Sequence, residues 1–398
     1  MSREPEAWLP TGETADVRRD DARLARIQRR FGEFAAEYPA LPLYSSLCRH
    51  LAGDQELAGL LLAAKPGQAR PVLWLAAVHE LALRHPESVA AQWYPSVTGR
   101  DGTREGDPWP DVRQAVLEHR EEVADTIARR RTQTNEVNRA VHLGVGLAVA
   151  AADLADRPVA LVELGASAGL LLGIDRYAVE LTGASPATQL GDPRSPVRCS
   201  GTDRSGVGQQ LTERGMDLPR VAGRVGVDLD PVPLDDDDAV RWLEACLWPD
   251  VPGRVERFRA ARALLRADPP EVLHGDLVDD LATTVAVGRG QAGPEAHVIV
   301  LSSWALSYVP VERRLQLEDV LRQLSQEIAH LSWLSAEPPG CVPGVRVPAD
   351  LADDRGGTVV GVRRWRDGRE VAPLTLGSCH PHGHWVDLDL RELLNPTP

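Results

Sequence analysis

The chain has 398 residues, 43% hydrophobic and 26% charged, with 44 basic side chains against 58 acidic ones for a formal charge of −14. That composition buries a core, and at roughly 150 residues per domain the length allows two or three domains, or one large one with a cap. It excludes a disordered chain, and the acidic balance argues against a nucleic-acid binder, whose footprint is basic.

Lys65 is the only lysine, which leaves Schiff-base chemistry a single candidate. Five scattered cysteines without a C-x-x-C pair read as reduced thiols. The N-terminus is charged and has no signal-peptide core, and no uninterrupted apolar run reaches roughly 18 residues. The expectation is a cytoplasmic protein with neither a membrane nor a nucleic acid as partner.

Residues 20–155 read as a helical cap. Leu24, Ile27, Phe31 and Phe34 stand at helical spacing, and the segments 56–64 and 71–85 are apolar all round. The turn-rich stretch 97–111 is a loop, and helical patterns follow over 112–131 and from Thr134, a predicted N-cap, to Leu154. The apolar segment 71–85 holds His79, which reads first as a core histidine and second as a general base. In the pattern that starts at Thr134, Asn135 and Arg139 fall at i, i+4 on one helix face with Glu136 beside them.

After residue 156 the pattern changes to short apolar runs alternating with helices. The runs are 157–165, 224–230, 270–276, 296–304 and 328–335, with helices predicted over 168–181, 237–247, 252–267, 277–287 and 311–327. This alternation predicts an α/β domain over 156–398 with a mainly parallel sheet. A strand pattern over 357–365 followed by Asp367-Gly368 predicts an antiparallel C-terminal hairpin. The segment 182–223, rich in Gly, Ser, Pro and Asp, reads as an insertion.

The stretch VALVELGASAGLLLGIDRY (159–177) carries the most chemistry. Glu163 ends a strand, and Gly165-Ala166-Ser167-Ala168-Gly169 leads on, with small residues that let a ligand approach the backbone. The G-x-x-x-G spacing departs from the dinucleotide fingerprint, and no G-K-[ST] follows, so a phosphate grip is unsupported. Glu163 suits a cationic or hydroxyl-bearing ligand instead.

This loop resembles motif I of the class I S-adenosylmethionine-dependent methyltransferases. Gly226-Val227-Asp228-Leu229-Asp230-Pro231 resembles the end of their second strand, and His274-Gly275-Asp276-Leu277 resembles the Gly-Asp step after the third. The resemblance implies a Rossmann-like fold and S-adenosyl-L-methionine as cofactor. Glu163, Gly165, Ala166, Ser167, Gly169, Asp228, Asp276 and Leu277 would then be cofactor-binding, joined by Asn135 and by Arg139 at the cofactor's carboxylate. Asp228 would hold the ribose hydroxyls and Asp276 the adenine. Asp228 lies 59 positions beyond Gly169 where roughly 20 is usual, so Asp192 or Asp203 in the insertion stand as alternatives.

The segment 296–309 resembles the fourth strand and its substrate-facing loop, which implies Trp304 and Tyr308, with Glu136, as residues for a small-molecule or peptide acceptor carrying oxygen or nitrogen. The whole chain from about residue 25 also resembles an uncharacterised bacterial family, domain of unknown function family 2332, through GQARPVLWLAAVHELAL, RRTQTNEVNRA, the glycine loop, GVDLDP and PHGHW.

His380, His382 and His384 would share one face of an extended strand, but Pro381 and Gly383 interrupt it, so a general base at His382 is preferred to a metal site. No G-x-S-x-G elbow supports a serine hydrolase. A methyltransferase is therefore expected, against a non-catalytic binding module of the same fold and, more weakly, a nucleotide-cofactor oxidoreductase.

Overall fold

The computed structural model describes residues 12–183, 187–351 and 356–391. Part of the predicted insertion, residues 184–186, and the two chain ends lie outside the described residues. The chain divides into two compact units, 1–134 with 238–255, and 135–237 with 256–398.

The first unit is helical. Its helices include Gly12–Glu37, Pro42–Leu51, Pro71–Arg84, Trp109–Glu118 and Arg120–Arg129. Pro71 suits the first turn of its helix, where an N–H would have no partner. Trp74 is fully buried, donates Nε1–H to the Leu57 carbonyl at 3.0 Å and meets Phe31 edge-on. The pattern over 112–131 gives two helices rather than one. They break at His119, whose backbone leaves the helical region at φ −111° and ψ 30°.

The second unit is a mixed α/β layer structure around an 11-stranded, largely parallel sheet. The strands are β1 (Val159–Leu164), β2 (Ala178–Thr182), β3 (Thr188–Gly191), β4 (Arg198–Asp203), β5 (Val221–Asp228), β6 (Glu271–His274), β7 (His297–Ser303), β8 (His330–Glu337), β9 (Thr358–Arg366), β10 (Arg369–Cys379) and β11 (Trp385–Leu388). Their order is β3-β2-β4-β11-β10-β9-β8-β7-β1-β5-β6. From β8 to β6 every neighbouring pair is parallel, and β8–β9, β9–β10 and β10–β11 are antiparallel. All six residues of β1 are buried, as a strand covered on both faces must be.

Two expectations need correction here. The helix predicted over 168–181 is a 3₁₀ helix, Leu170–Arg176, followed at once by β2. Gly173 sits where a Cβ would lie 2.7 Å from Leu265 Cδ2, so the segment is fixed by contact rather than by helix propensity. The predicted insertion forms part of the sheet, since β3 and β4 with the end of β2 extend one edge. In β4 the inward residues are Cys199, Gly201 and Asp203, so the strand carries no apolar alternation. At Gly201 a Cβ would lie 2.4 Å from the Gly383 carbonyl.

The unit boundary also differs from the predicted cap. The apolar helix Ala140–Ala151 is buried along its length and groups with the sheet, whereas 238–255 groups with the helical unit. The 18 residues Val137–Leu154 are long and apolar enough to cross a membrane by composition. Of them 83% are buried inside the protein, which accounts for their apolarity by core packing.

Candidate functional site

The strand order runs outward from β1 through β5 to β6 and, on the other side, from β7 to β8, so a topological switch point lies between β1 and β7. In open α/β sheets, ligands bind outside the carboxyl ends of the strands at such a point. Here those ends present Glu163 (β1), Asp228 (β5), Ser303 and Trp304 (β7) and Glu337 (β8).

Gly165 leaves β1 at φ +71°, and a Cβ there would lie 2.9 Å from Ala305 Cβ; glycine is required on both counts. Ser167 also adopts a left-handed backbone, at φ +51°. It is held there by its own N–H, which donates to Asp228 Oδ2 at 2.7 Å, and by Asn135 Nδ2, which donates to its hydroxyl at 3.2 Å. Ala166 is buried and faces Gly226, where a Cβ would lie 2.4 Å from Ala166 Cβ. Gly169, at φ +68°, packs against Pro270 and Val272.

Glu163 is buried, and its Oε2 has no hydrogen-bond partner among the described residues. Burial first, and the charge of Asp228 second, raise its carboxyl well above the usual range, against the pull of the Arg139 guanidinium. A buried carboxyl whose charged form is disfavoured therefore stands at the loop.

Arg139 is itself buried. It donates Nε–H to the Pro381 carbonyl at 3.1 Å and Nη1–H to the Ser303 carbonyl at 3.0 Å, tying the β7 end to the turn between β10 and β11. Asn135 and Arg139 do not share an α-helix face, because helical structure begins only at Val137. Glu136 is the N-cap there and accepts the Asn138 N–H at 3.0 Å.

Sequence reasoning missed three residues. Glu337 is fully buried, and its Oε1 and Oε2 accept the N–H groups of Ala305 and Leu306 at 3.1 and 3.2 Å. Burial pushes its carboxyl up to about 7 despite those amides and Arg139. Asn138 donates to the carbonyls of Ser200, His382 and Gly383 and accepts the Ser200 N–H, so it stitches β4 to the histidine turn. His142 is fully buried, and neither ring nitrogen has a hydrogen-bond partner among the described residues; burial lowers it to about 3, so it is neutral.

The other predicted residues fare unequally. Asp228 stands beside the glycine loop, but its Oδ1 accepts the Asp230 N–H at 2.8 Å, so it shapes the loop as well as facing the site. Asp203, the alternative, accepts the N–H groups of Gly206, Val207 and Gly208, and Asp192 pairs with Arg194. Asp276 accepts the Val278 and Asp279 amides and pairs with Arg313 at 2.6 Å; these outweigh burial and hold its carboxyl below the usual range. Leu277 is half-buried against the core.

Trp304 has a left-handed backbone at φ +57° and donates Nε1–H to Thr358 Oγ1 at 2.8 Å, whereas Tyr308 is 82% exposed. Leu229, next to Asp228, is an apolar side chain that is 69% exposed.

His380, His382 and His384 do not line a strand. They form the turn between β10 and β11, because Gly383 takes φ +71° and a Cβ there would overlap the Asn138 carbonyl. Their rings still cluster, His380 stacking on His384 at 4.3 Å, and His382 Nδ1 lies 3.8 Å from Glu136 Oε2. His79 belongs to the helical unit and is a satisfied core residue. Its Nε2 bonds Ser96 Oγ at 2.7 Å, its Nδ1 bonds the Ala245 carbonyl at 3.1 Å, and its ring stacks on Tyr94.

A separate cavity of about 390 Å³ is lined by Ala168, Pro231, Val232, Leu234, Pro270 and Val272, among others. Its lining includes Ala168 of the glycine loop but not Glu163, Asp228 or Asp276.

Residues 28–388 match the family described as an uncharacterized protein conserved in bacteria, DUF2332. No curated protein and no solved structure matches the chain.

Proposed function

Since the chain belongs to the DUF2332 family, we propose from its site that it is an S-adenosylmethionine-dependent methyltransferase acting on an oxygen or nitrogen of a small molecule or peptide. The observation that carries this reading is Glu163. A buried carboxyl without a partner at Oε2, beside a second acid and a glycine loop at the switch point, fits a ligand that brings positive charge and hydrogen-bond donors. The G-x-x-x-G spacing of the loop disfavours a nicotinamide dinucleotide.

The residues fit the cofactor group by group. Glu163 ionises against its cationic end, the remaining lone pairs of Asp228 accept ribose hydroxyls, and exposed Leu229 covers a ring face. Arg139 acts at one remove, by holding the β7 end and the histidine turn around the site. Asp276 fits least, because Arg313 and two amides already occupy it. When bound, S-adenosylmethionine supplies an electrophilic methyl group on a sulfonium. The chain's own contribution is to align the acceptor and exclude water. Glu337 fixes the 304–306 backbone beside the acceptor's entry, and His382 takes the acceptor's proton while its Nδ1 faces Glu136.

A second reading, a non-catalytic binding module of the same fold, is favoured by Asp228 and Asp276, whose carboxylates both serve the loops themselves. Calorimetric titration of the full chain with S-adenosylmethionine and with NAD, followed by assay of S-adenosylhomocysteine release with amine, alcohol and peptide acceptors, separates the readings. Saturable binding of the first ligand alone, with turnover, supports the enzyme. Binding without turnover supports the module, and no binding at millimolar ligand overturns both.

A further inference from the structure

We propose that the helical unit carries a binding site for a divalent first-row transition ion, zinc(II) above all, built from His85, His119 and Glu122. His85 closes the helix Pro71–Arg84, His119 occupies the break between two helices, and Glu122 stands in the first turn of the second. One ligand atom from each lies within 4.8 Å of the others.

The distances match a coordination polyhedron. His85 Nε2 and His119 Nδ1 lie 3.1 and 3.4 Å from Glu122 Oε2. Bonds of about 2.0–2.1 Å to a tetrahedral zinc ion put neighbouring ligand atoms roughly 3.3 Å apart. Groups that would orient the ligands stand nearby. Glu87 Oε1 lies 3.6 Å from His85 Nδ1, where a carboxylate could accept the N–H of a metal-bound histidine, and Arg84 Nε lies 3.3 Å from the other oxygen of Glu122. That arginine leaves Glu122 as a ligand through one oxygen. All three side chains are 27–33% exposed, so an ion can reach them and water can complete its shell. Two imidazoles and one carboxylate select zinc(II), nickel(II) or copper(II) over calcium or magnesium, which prefer oxygen donors. Protons compete with the ion for the imidazole nitrogens, so binding weakens on acidification.

The test is calorimetric titration of the untagged, chelator-stripped full chain with zinc(II), with cobalt(II) absorption as a report on coordination. The site predicts one equivalent bound in the micromolar range or tighter and a cobalt d–d band. It also predicts loss of both in His119→Ala, and affinity roughly 10–100-fold weaker in Glu87→Gln. Circular dichroism checks that the variants fold, and if His119→Ala does not, the near-isosteric Glu122→Gln decides by the same loss. Absence of zinc binding by the folded chain overturns the proposal. So does binding that survives His85→Ala and Glu122→Gln but disappears in His380→Ala, which would move the ion to the histidine turn.

Discussion

Replacing Glu337 by glutamine should remove a defined part of the protein's pH dependence. In the fold its carboxyl stands at about 7 against an ordinary 4.5, because burial outweighs the two amides and the guanidinium that favour its charge. A carboxyl raised in the folded state binds its proton more tightly there than in the unfolded chain. Its stabilising contribution is therefore complete below 4.5 and disappears as pH rises through about 7. At about 1.4 kcal/mol per pH unit, the interval from 4.5 to about 7 corresponds to roughly 3 kcal/mol. Glutamine cannot ionise. Its NH₂ group must also face one of the Ala305 and Leu306 N–H groups, at a pH-independent cost of about 1–3 kcal/mol. Urea denaturation of the sheet unit between about pH 5 and 8 should show the wild type losing stability with rising pH and approaching the variant by roughly 3 kcal/mol. Parallel curves would refute the reasoning, because they would mean that Glu337 is ionised in the fold throughout.

Other perturbations have definite outcomes. Arg139→Met leaves the partly buried Ser303 and Pro381 carbonyls without their donor; denaturation should show a loss of about 1–3 kcal/mol for each. Gly383→Ala drives a Cβ into the Asn138 carbonyl at a left-handed φ, so the melting temperature should fall by several degrees, with proteolysis concentrated at the histidine turn. Gly165→Val clashes with Ala305 and should abolish S-adenosylmethionine binding; an unaffected affinity in calorimetry would place the ligand elsewhere. His79→Ala should lower thermal stability by removing two buried hydrogen bonds and a ring stack, while ligand affinity measured on the folded variant stays unchanged.

What the sequence reveals and what it hides have physical causes. The strand ending in Glu163, its glycine loop and the strand ending in Asp228 are legible because strand, turn and small side chains are local requirements. Glu337 is not, because its role depends on pairing β7 with β8, which brings the Ala305 and Leu306 amides to a residue 31 or 32 positions away. Arg139 is legible as a basic residue near the site but not in its use, since its partners lie 164 and 242 positions along the chain. Strand β4 is hidden because its inward face is Cys199, Gly201 and Asp203, chosen for close approach and loop capping rather than for apolar burial. The His119–Glu122 pair is hidden inside a helical period whose break at His119 leaves no glycine or proline to mark it.

The central claim is that the carboxyl of Glu163, whose charged form burial disfavours, receives a cationic ligand. Titration of the wild type and Glu163→Gln with S-adenosylmethionine, in buffers of different ionisation enthalpy between about pH 6 and 8, tests it most directly. The account predicts that wild-type binding releases a proton and tightens with rising pH, and that the variant binds roughly 10–100-fold more weakly with neither effect. Absence of binding, or binding with no proton release and equal affinity in both proteins, would contradict it.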